Sequence, residues 1–306
     1  MVIIDSLRTL PENSNSSTRI ALRPGKCTIP FLELNPALKS VPEAVPTLSI
    51  INPERKSAIL GFAGFAISHY EAYFKNYAPE FANRTPHATA IAEWGNVTDV
   101  PELRWRLIVD YMLEHHPEGL NMFGTSFGGF ETLRGLQVIK KIQDEGVEVP
   151  FINIGLVVAP TSGESIKKSL STKVFIQLSR LESALAQLTN NVSARLLSKS
   201  LKEMNTPLGR ISMGEARAIM IKLRTLQNSP PLTGESLPAN LKVDYFGTDK
   251  SGHLDPLVVQ PIALKELRSA GVEVNEHWYE PNPQFAHVPS EADTFRLLDD
   301  MVKFFS

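Results

Sequence analysis

A serine flanked by glycines is the strongest sign of catalytic chemistry in the sequence. Ser126 lies in Gly124-Thr125-Ser126-Phe127-Gly128-Gly129, which contains the pattern Gly-x-Ser-x-Gly. The motif falls where an apolar run ends and a helical pattern begins. A sharp strand-to-helix turn would raise the hydroxyl above a sheet, and the glycines would let the strand and helix backbones approach each other. The motif and its context therefore predict Ser126 as a nucleophile.

Such a serine needs a base beside it, because a hydroxyl is a poor nucleophile until an imidazole accepts its proton. Of the seven histidines, only His287 follows the last apolar strand pattern and precedes an apolar helical pattern. It also lies downstream of the candidate acids, in the chain order Ser, Asp, His that accompanies this motif. We predict His287 as the general base and assign the other six to solvent or packing: His69, His87, His115, His116, His253 and His277.

The acid that would orient His287 is sought in residues 248–258, a loop after a predicted strand. Asp255 heads a Pro-Leu-Val-Val stretch, whereas Asp249 stands nearer the strand end but beside Lys250, which can neutralise it. We predict Asp255 as the acid and keep Asp249 as the alternative, with Glu164 a third choice. An aspartate before a proline is also a common helix cap, so the residue type alone does not decide between them.

Backbone N–H groups near the serine are candidates for stabilising the negative charge that develops on a reacting carbonyl oxygen. One is the N–H of Phe127, at the positive end of the predicted helix. The other is the N–H of Phe62, in the small-residue turn Leu60-Gly61-Phe62-Ala63-Gly64-Phe65 that follows an apolar run. The same glycines would suit an ordinary turn, so it is the serine motif that favours this assignment.

The charge balance gives no support for a polyanionic partner. Lys plus Arg (31) nearly equal Asp plus Glu (33), and the net charge of -2 supplies no strong field for nucleic acid or an anionic membrane. Cys27 is the only cysteine, which excludes an internal disulfide and a multi-cysteine metal site. Asp249, His253 and Asp255 carry donor atoms, but three donors on one loop are weak evidence for a metal ion. We therefore predict neither a metal nor a cofactor.

Residues 1–40 are predicted to be an N-terminal arm of unassigned role, in which the polar stretch 11–18 forms a loop or a loosely held arm without chemistry. The first ten residues lack the basic start and long apolar middle of a secretory signal. No run elsewhere is long enough to span a membrane. The expectation is a soluble cytoplasmic protein.

The elements that must position the site follow from the hydrophobic pattern beyond residue 47. Apolar runs rich in Val, Ile and Phe alternate with segments of helical period, which is typical of a mostly parallel sheet flanked by crossover helices. Helices are predicted before the fourth strand, directly after the serine motif, and at the C-terminal end, where Phe295 belongs to the apolar stripe. The predicted strands are Thr47 to Ile51, Ser57 to Phe62, Ala88 to Trp94, Leu120 to Phe123, Phe151 to Ala159, Lys242 to Gly247 and Glu273 to Tyr279.

Residues 165–235 interrupt this alternation, because they contain no predicted strand. Apolar residues at alternating steps of four and three, from Val174 to Leu188, indicate an amphipathic helix. We predict a helical cap insertion over residues 165–235 between two parts of an α/β core, residues 41–164 and 236–306.

The order of apolar strand, glycine turn, serine motif, insertion, aspartate loop and histidine loop resembles the α/β-hydrolase superfamily over about residues 45–306. The resemblance implies a central, mostly parallel sheet flanked by helices, a triad of Ser126, Asp255 and His287, and a cap over the pocket. The sequence departs from the family pattern in two places. Leu60 stands where many members carry histidine, and the aspartate loop is longer than usual, which leaves the acid open.

This reading implies hydrolysis of a carboxylic ester or thioester of a small-molecule acyl substrate through an acyl-enzyme. The same three residues could pass the acyl group to another acceptor or cleave a peptide. A different class of function is a hydrolase-like ligand-binding or interaction protein, because a fold does not settle function. The presence of a serine, a histidine and an available aspartate in the required order favours an enzyme.

Overall fold

One eight-stranded sheet organises the chain in the computed structural model, which describes residues 17–22, 47–62, 78–93, 101–167, 225–239, 241–283 and 286–306. The strand order is β1-β2-β4-β3-β5-β6-β7-β8. β2 is antiparallel to both of its neighbours, and the pairs from β4 to β8 are all parallel. The strands are β1 (Ser17–Ala21), β2 (Thr47–Ile51), β3 (Ser57–Phe62), β4 (Ala88–Glu93), β5 (Gly119–Thr125), β6 (Phe151–Val157), β7 (Lys242–Gly247) and β8 (Glu273–Trp278).

Helices cover both faces of the sheet, which is why the central strands are near-continuous apolar runs. One face, with Leu60, Met122 and Ile154, packs against α1 (Pro101–His115), α2 (Phe127–Asp144) and α3 (Gln260–Ser269). The other face, with Ile59, Phe123 and Phe246, packs against α4 (Glu291–Phe305) and the helical residues 78–84. A short 3-10 turn spans Gly234–Ser236. The mostly parallel, helix-flanked sheet predicted from the sequence is confirmed.

The seven predicted strands are all present, and an eighth was missed. β1 (Ser17–Ala21) pairs with β2, so the prediction of a loop over residues 11–18 is wrong at its last two positions. Residues 17–21 of the predicted N-terminal arm therefore belong to the sheet. Among the described strands, β1 lies at the edge of the sheet and pairs only with β2. Edge strands are often short and polar, so an apolar run does not reveal them.

The predicted helical insertion is described only at its two ends. Residues 168–224, with the proposed apolar stripe, lie outside the described residues. At the first end Ile166 forms a bridge with Val258, and at the second Leu226 packs against Phe127 and Phe130. The first end therefore contacts the aspartate loop, and the second end contacts residues at the serine motif.

The predicted helices α1, α2 and α4 are confirmed, with one exposed position. Phe295, assigned to the apolar stripe of α4, is 45% exposed. The other residues of that stripe are buried. Phe295 is exposed because the sheet covers only part of the helix circumference. None of the described helices is long and apolar enough to cross a membrane.

Two buried histidines hold structural contacts away from the serine motif. His87 Nδ1 lies 2.7 Å from Ser57 Oγ, and its Nε2 lies 2.9 Å from the carbonyl oxygen of Phe305. His116 Nδ1 lies 2.6 Å from the carbonyl oxygen of Arg55. Burial lowers the pKa of both side chains, although each of these backbone hydrogen bonds opposes the shift. Both histidines are therefore packing residues that the fold keeps neutral.

Candidate active site

Ser126 occupies the turn between the last residue of β5 and the first residue of α2. Its φ of 54° and ψ of -124° lie in a region that residues with a β-carbon rarely adopt. The turn is held by the Ser126 N–H, which donates to Val157 O at 2.7 Å, and by the Ser126 C=O, which accepts from Gly129 N at 2.9 Å. Backbone strain of this kind is found at functional sites, where it aims a side chain.

Gly124 makes the turn sterically possible. A β-carbon at this position would lie 2.3 Å from Gly128 O and 2.5 Å from Gly129 N, so the backbones of β5 and α2 touch where any larger residue would intrude. The strand-to-helix geometry predicted for the serine motif is thus present.

His287 lies on the loop between β8 and α4. The loop is closed by two backbone hydrogen bonds, Asn282 N to Val288 O at 2.9 Å and Ser290 N to Glu280 O at 2.7 Å. The imidazole is 5% exposed, and its Nε2 lies 2.8 Å from Ser126 Oγ. This distance allows a hydrogen bond in which the serine hydroxyl donates to the imidazole nitrogen.

Asp255 meets the other side of the imidazole, with His287 Nδ1 lying 2.9 Å from Asp255 Oδ2 and 3.1 Å from Oδ1. The carboxylate is fully buried. Oδ1 also accepts from the N–H groups of Leu257 (2.8 Å) and Val258 (3.1 Å), and Oδ2 accepts from Gln260 Nε2 at 2.8 Å. Burial alone would raise the pKa of Asp255, but the attraction of His287 and these hydrogen bonds outweigh it and hold the pKa below its ordinary value.

Asp249, the alternative acid, lies in the same loop with different partners. Its carboxylate accepts from the N–H and hydroxyl of Ser251 and from the N–H groups of Gly252, Leu254 and Asp255. Burial opposes these hydrogen bonds, yet together they keep its pKa low. Asp249 accepts hydrogen bonds from its own loop, and Asp255 is the carboxylate that accepts from His287 Nδ1. Glu164, the third choice, is exposed.

The two backbone donors predicted to hold an oxyanion are in different situations. Phe127 is the first residue of α2, directly after Ser126, where the helix dipole is positive. Phe62 is the last residue of β3, in register with Ala92 and Gly124, and its ring packs on Trp105 at 4.7 Å between centroids. The predicted turn was placed too early, because residues 60–62 are still strand. Its remaining residues lie outside the described part of the chain.

No group of three or more His, Cys, Asp or Glu side chains that could hold a metal ion occurs among the described residues. His253, which was weighed as a ligand together with the two aspartates, is exposed. Its carbonyl oxygen accepts a hydrogen bond from Lys167 Nζ at 2.6 Å.

Two residues beside Asp255 were not identified from the sequence. Gln260 and Thr248 are both buried and hydrogen bonded to each other, and Gln260 also bonds the Asp255 carboxylate. A glutamine before Pro261 at a helix start carries no recognisable pattern, so only the folded arrangement reveals it.

The sequence matches no protein-family model and no curated protein. Solved structures are similar to it in fold. The structure of DcsB in complex with its substrate analogue has a TM-score of 0.56 at 11% identity and covers 95% of this chain and 98% of that one. Carboxyl esterase 2 from the mycorrhizal fungus Tuber melanosporum has a TM-score of 0.55 at 13% identity, with 97% and 89% covered. The RedJ thioesterase of prodiginine biosynthesis in Streptomyces coelicolor has a TM-score of 0.53 at 12% identity, with 81% and 90% covered. At these identities the likeness shows a shared fold.

Proposed function

We propose that this chain, which has the α/β-hydrolase fold, is a serine hydrolase that cleaves a carboxylic ester or thioester. The observation that carries the proposal is the unbroken row of hydrogen bonds from Ser126 through His287 to a buried Asp255. Fold likeness to an esterase and a thioesterase supports the substrate class as an analogy.

The reaction would run through an acyl-enzyme. As Ser126 Oγ attacks the carbonyl carbon, its proton passes to His287 Nε2, and Asp255 stabilises the imidazolium that forms. The N–H groups of Phe127 and Phe62 are our candidates for holding the oxyanion. His287 then gives the proton to the departing alcohol or thiol as the carbonyl re-forms. Water repeats the sequence on the acyl-enzyme, so the acid is released and Ser126 regains its proton.

A second serine–histidine contact supports the role proposed for the carboxylate by comparison. Ser57 Oγ lies 2.7 Å from His87 Nδ1, a separation as short as that at Ser126. The far nitrogen of His87 faces the Phe305 carbonyl oxygen, where His287 faces a carboxylate. A neutral carbonyl stabilises an imidazolium less than a carboxylate does, and burial also lowers the pKa of His87. Ser57 is therefore expected to be inert.

The test is covalent labelling with a fluorophosphonate, followed by mass spectrometry of the labelled peptide. We expect the probe on Ser126, and we expect Ser126→Ala to abolish both labelling and hydrolysis of p-nitrophenyl esters. Ser57→Ala is the matched control, because it removes the serine of the other serine–histidine contact, and it should label like the wild type. Full ester turnover by Ser126→Ala would refute the nucleophile assignment.

Product analysis separates hydrolysis from the alternatives. Free acid in equal amount to the released alcohol or thiol is expected for a hydrolase. Formation of a new ester or amide with an added acceptor would identify an acyltransferase, and cleavage of peptides in preference to esters would identify a peptidase. A chain that neither labels nor turns over any ester would be a binding protein on a hydrolase fold.

A further inference from the structure

We infer that Gln260 is a positioning residue that aligns the acid and the base of the site, an inference that rests on the proposed function. Gln260 is fully buried at the first position of α3. Its carboxamide lies between Asp255 and the end of β7, and its side chain uses all of its hydrogen-bonding capacity there.

The orientation of the Gln260 amide is fixed by backbone donors. Oε1 accepts from the N–H of Thr248 at 2.9 Å and from the N–H of Asp249 at 3.2 Å. Backbone N–H groups cannot act as acceptors, so the oxygen must face them and the NH₂ group must face the other way. There Nε2 lies 2.8 Å from Asp255 Oδ2 and 3.1 Å from Thr248 Oγ1.

Each of the two amide hydrogens therefore serves a different part of the site. One is donated to the same Asp255 oxygen that faces His287, a charge-assisted hydrogen bond that is stronger than a neutral one. The other goes to the Thr248 hydroxyl, which in turn donates to the carbonyl oxygen of Ala286 at 2.7 Å. Because Ala286 precedes His287, the acid and the backbone that carries the base are held by one side chain.

The sheet leaves room for this amide. A β-carbon at Gly247 would lie 2.6 Å from Trp278 Cζ3 and 2.7 Å from Gln260 Oε1, so a larger residue at the end of β7 would displace the indole ring and the carboxamide. Among the described residues, the ionisable groups next to Gln260 or to the Asp255 that it bonds are Asp249, His287, Tyr245 and Lys167, whose Nζ donates to the backbone carbonyl oxygen of Asp255 at 3.0 Å. The Tyr245 hydroxyl is kept neutral, because burial and the nearby Asp255 charge raise its pKa.

The test variant is Gln260→Glu, which keeps the oxygen that accepts the two backbone N–H groups and replaces only the NH₂. The introduced carboxyl faces Asp255 Oδ2. Ionised, it places a second negative charge beside His287; protonated, it has a single O–H and can donate to Asp255 or to the Thr248 hydroxyl but not to both. We expect the maximal rate of fluorophosphonate labelling to fall roughly ten- to hundredfold. The negative charge of the ionised variant favours the protonated imidazole. The pH at which the labelling rate is half-maximal should therefore rise by roughly one unit or more.

The matched control is Glu266→Gln, the reverse exchange on the same helix. Glu266 accepts from the hydroxyls of Thr161 and Ser162 and so ties α3 to the loop after β6 without touching Asp255. It should change the melting temperature but leave the pH profile of labelling where it is in the wild type. A helix that merely needs anchoring would make both variants behave alike.

A second pair of variants tests the hydrogen bonds of the Thr248 hydroxyl. This pair is sufficient as the test if Gln260→Glu does not fold. Thr248→Val removes the hydroxyl between Gln260 and Ala286 and should slow labelling several-fold, whereas Thr248→Ser should restore the rate. Wild-type labelling at an unshifted pH in Gln260→Glu, or equal rates for Thr248→Val and Thr248→Ser, would overturn the inference. Absence of labelling in the wild-type chain would instead refute the proposed function, so the two failures are distinguishable.

Discussion

Replacing Asp255 by asparagine is the sharpest test of how the imidazole is held. The two N–H groups of Leu257 and Val258 on Oδ1 oblige the amide oxygen of the variant to take that position. The NH₂ then takes the place of Oδ2, and it faces His287 Nδ1. Gln260 cannot turn its amide to accept a hydrogen bond from this NH₂ group, because its own oxygen is held by two backbone donors.

The imidazole relieves the contact between two donors by changing its tautomer. The amide donor takes the nearer position, 2.9 Å from Nδ1 against 3.1 Å for the amide oxygen, so Nδ1 becomes the acceptor and the ring proton moves to Nε2, which faces Ser126 Oγ. That nitrogen can no longer take the serine proton. We expect turnover to fall about 10⁴-fold, or about 5.4 kcal/mol of activation free energy.

The assay is hydrolysis of p-nitrophenyl acetate together with the fluorophosphonate labelling rate, with melting curves to show that each variant is folded. Asp244→Asn is the matched control. Asp244 Oδ2 lies 2.7 Å from His277 Nε2, so the change breaks another Asp–His pair on the strand that leads to the site, and His277 is 34% exposed. Turnover of this control should stay within about twofold of the wild type. A loss below about tenfold in Asp255→Asn would refute the tautomer argument.

Three further predictions concern the frame of the site. Burial lowers the pKa of His87 and His116 below the value of about 6.5 in an unfolded chain, so the unfolded chain binds more protons below that pH and the free energy of unfolding should decline there. Urea unfolding at pH 7.5 and 5.5 measures this decline, which should be smaller in the His87→Gln/His116→Gln variant. Gly124→Ala should abolish labelling and lower the melting temperature, because the methyl group meets backbone that no rotamer change can move, and an unchanged labelling rate would contradict this. Glu145→Gln should lower the free energy of unfolding by roughly 1–3 kcal/mol, because Arg106 is buried and both its terminal nitrogens bond Glu145. The control is Glu118→Gln, which breaks the exposed ion pair of Glu118 with Lys56 and should change the free energy of unfolding by about 0–1 kcal/mol. Equal effects of the two variants would refute the argument.

The sequence predicted the parts of the fold whose stability depends on buried apolar area. The central strands are covered by helices on both faces, so each appears as an apolar run. β1 escaped because an edge strand pairs on one side and needs no such run. The exposed Phe295 escaped for the complementary reason, since helical spacing does not reveal how much of a helix the sheet covers.

Within the site, spacing and chain order selected the residues that touch one another, Ser126 and His287. The preference for Asp255 over Asp249 rested on a small difference in context, whereas the contacts differ sharply: one carboxylate bonds the imidazole, and the other bonds its own loop. Gln260 could not be predicted, because its role depends on a three-dimensional coincidence of strand end, loop and helix start. A periodic pattern carries no record of that coincidence.

The position of the long connection between β6 and β7 offers a way to divide this protein in two. A chain break between Lys167 and Thr225 would preserve every described strand pair, yet it would place Ser126 on one fragment and Asp255 and His287 on the other. The described contacts that rejoin the fragments include the β6–β7 ladder and the hydrogen bond of Glu266 with Ser162. Hydrolysis would then depend on fragment concentration, and fusing the fragments to two interacting proteins would raise their effective concentration to about millimolar. In this form the chain would report protein association by releasing a coloured product.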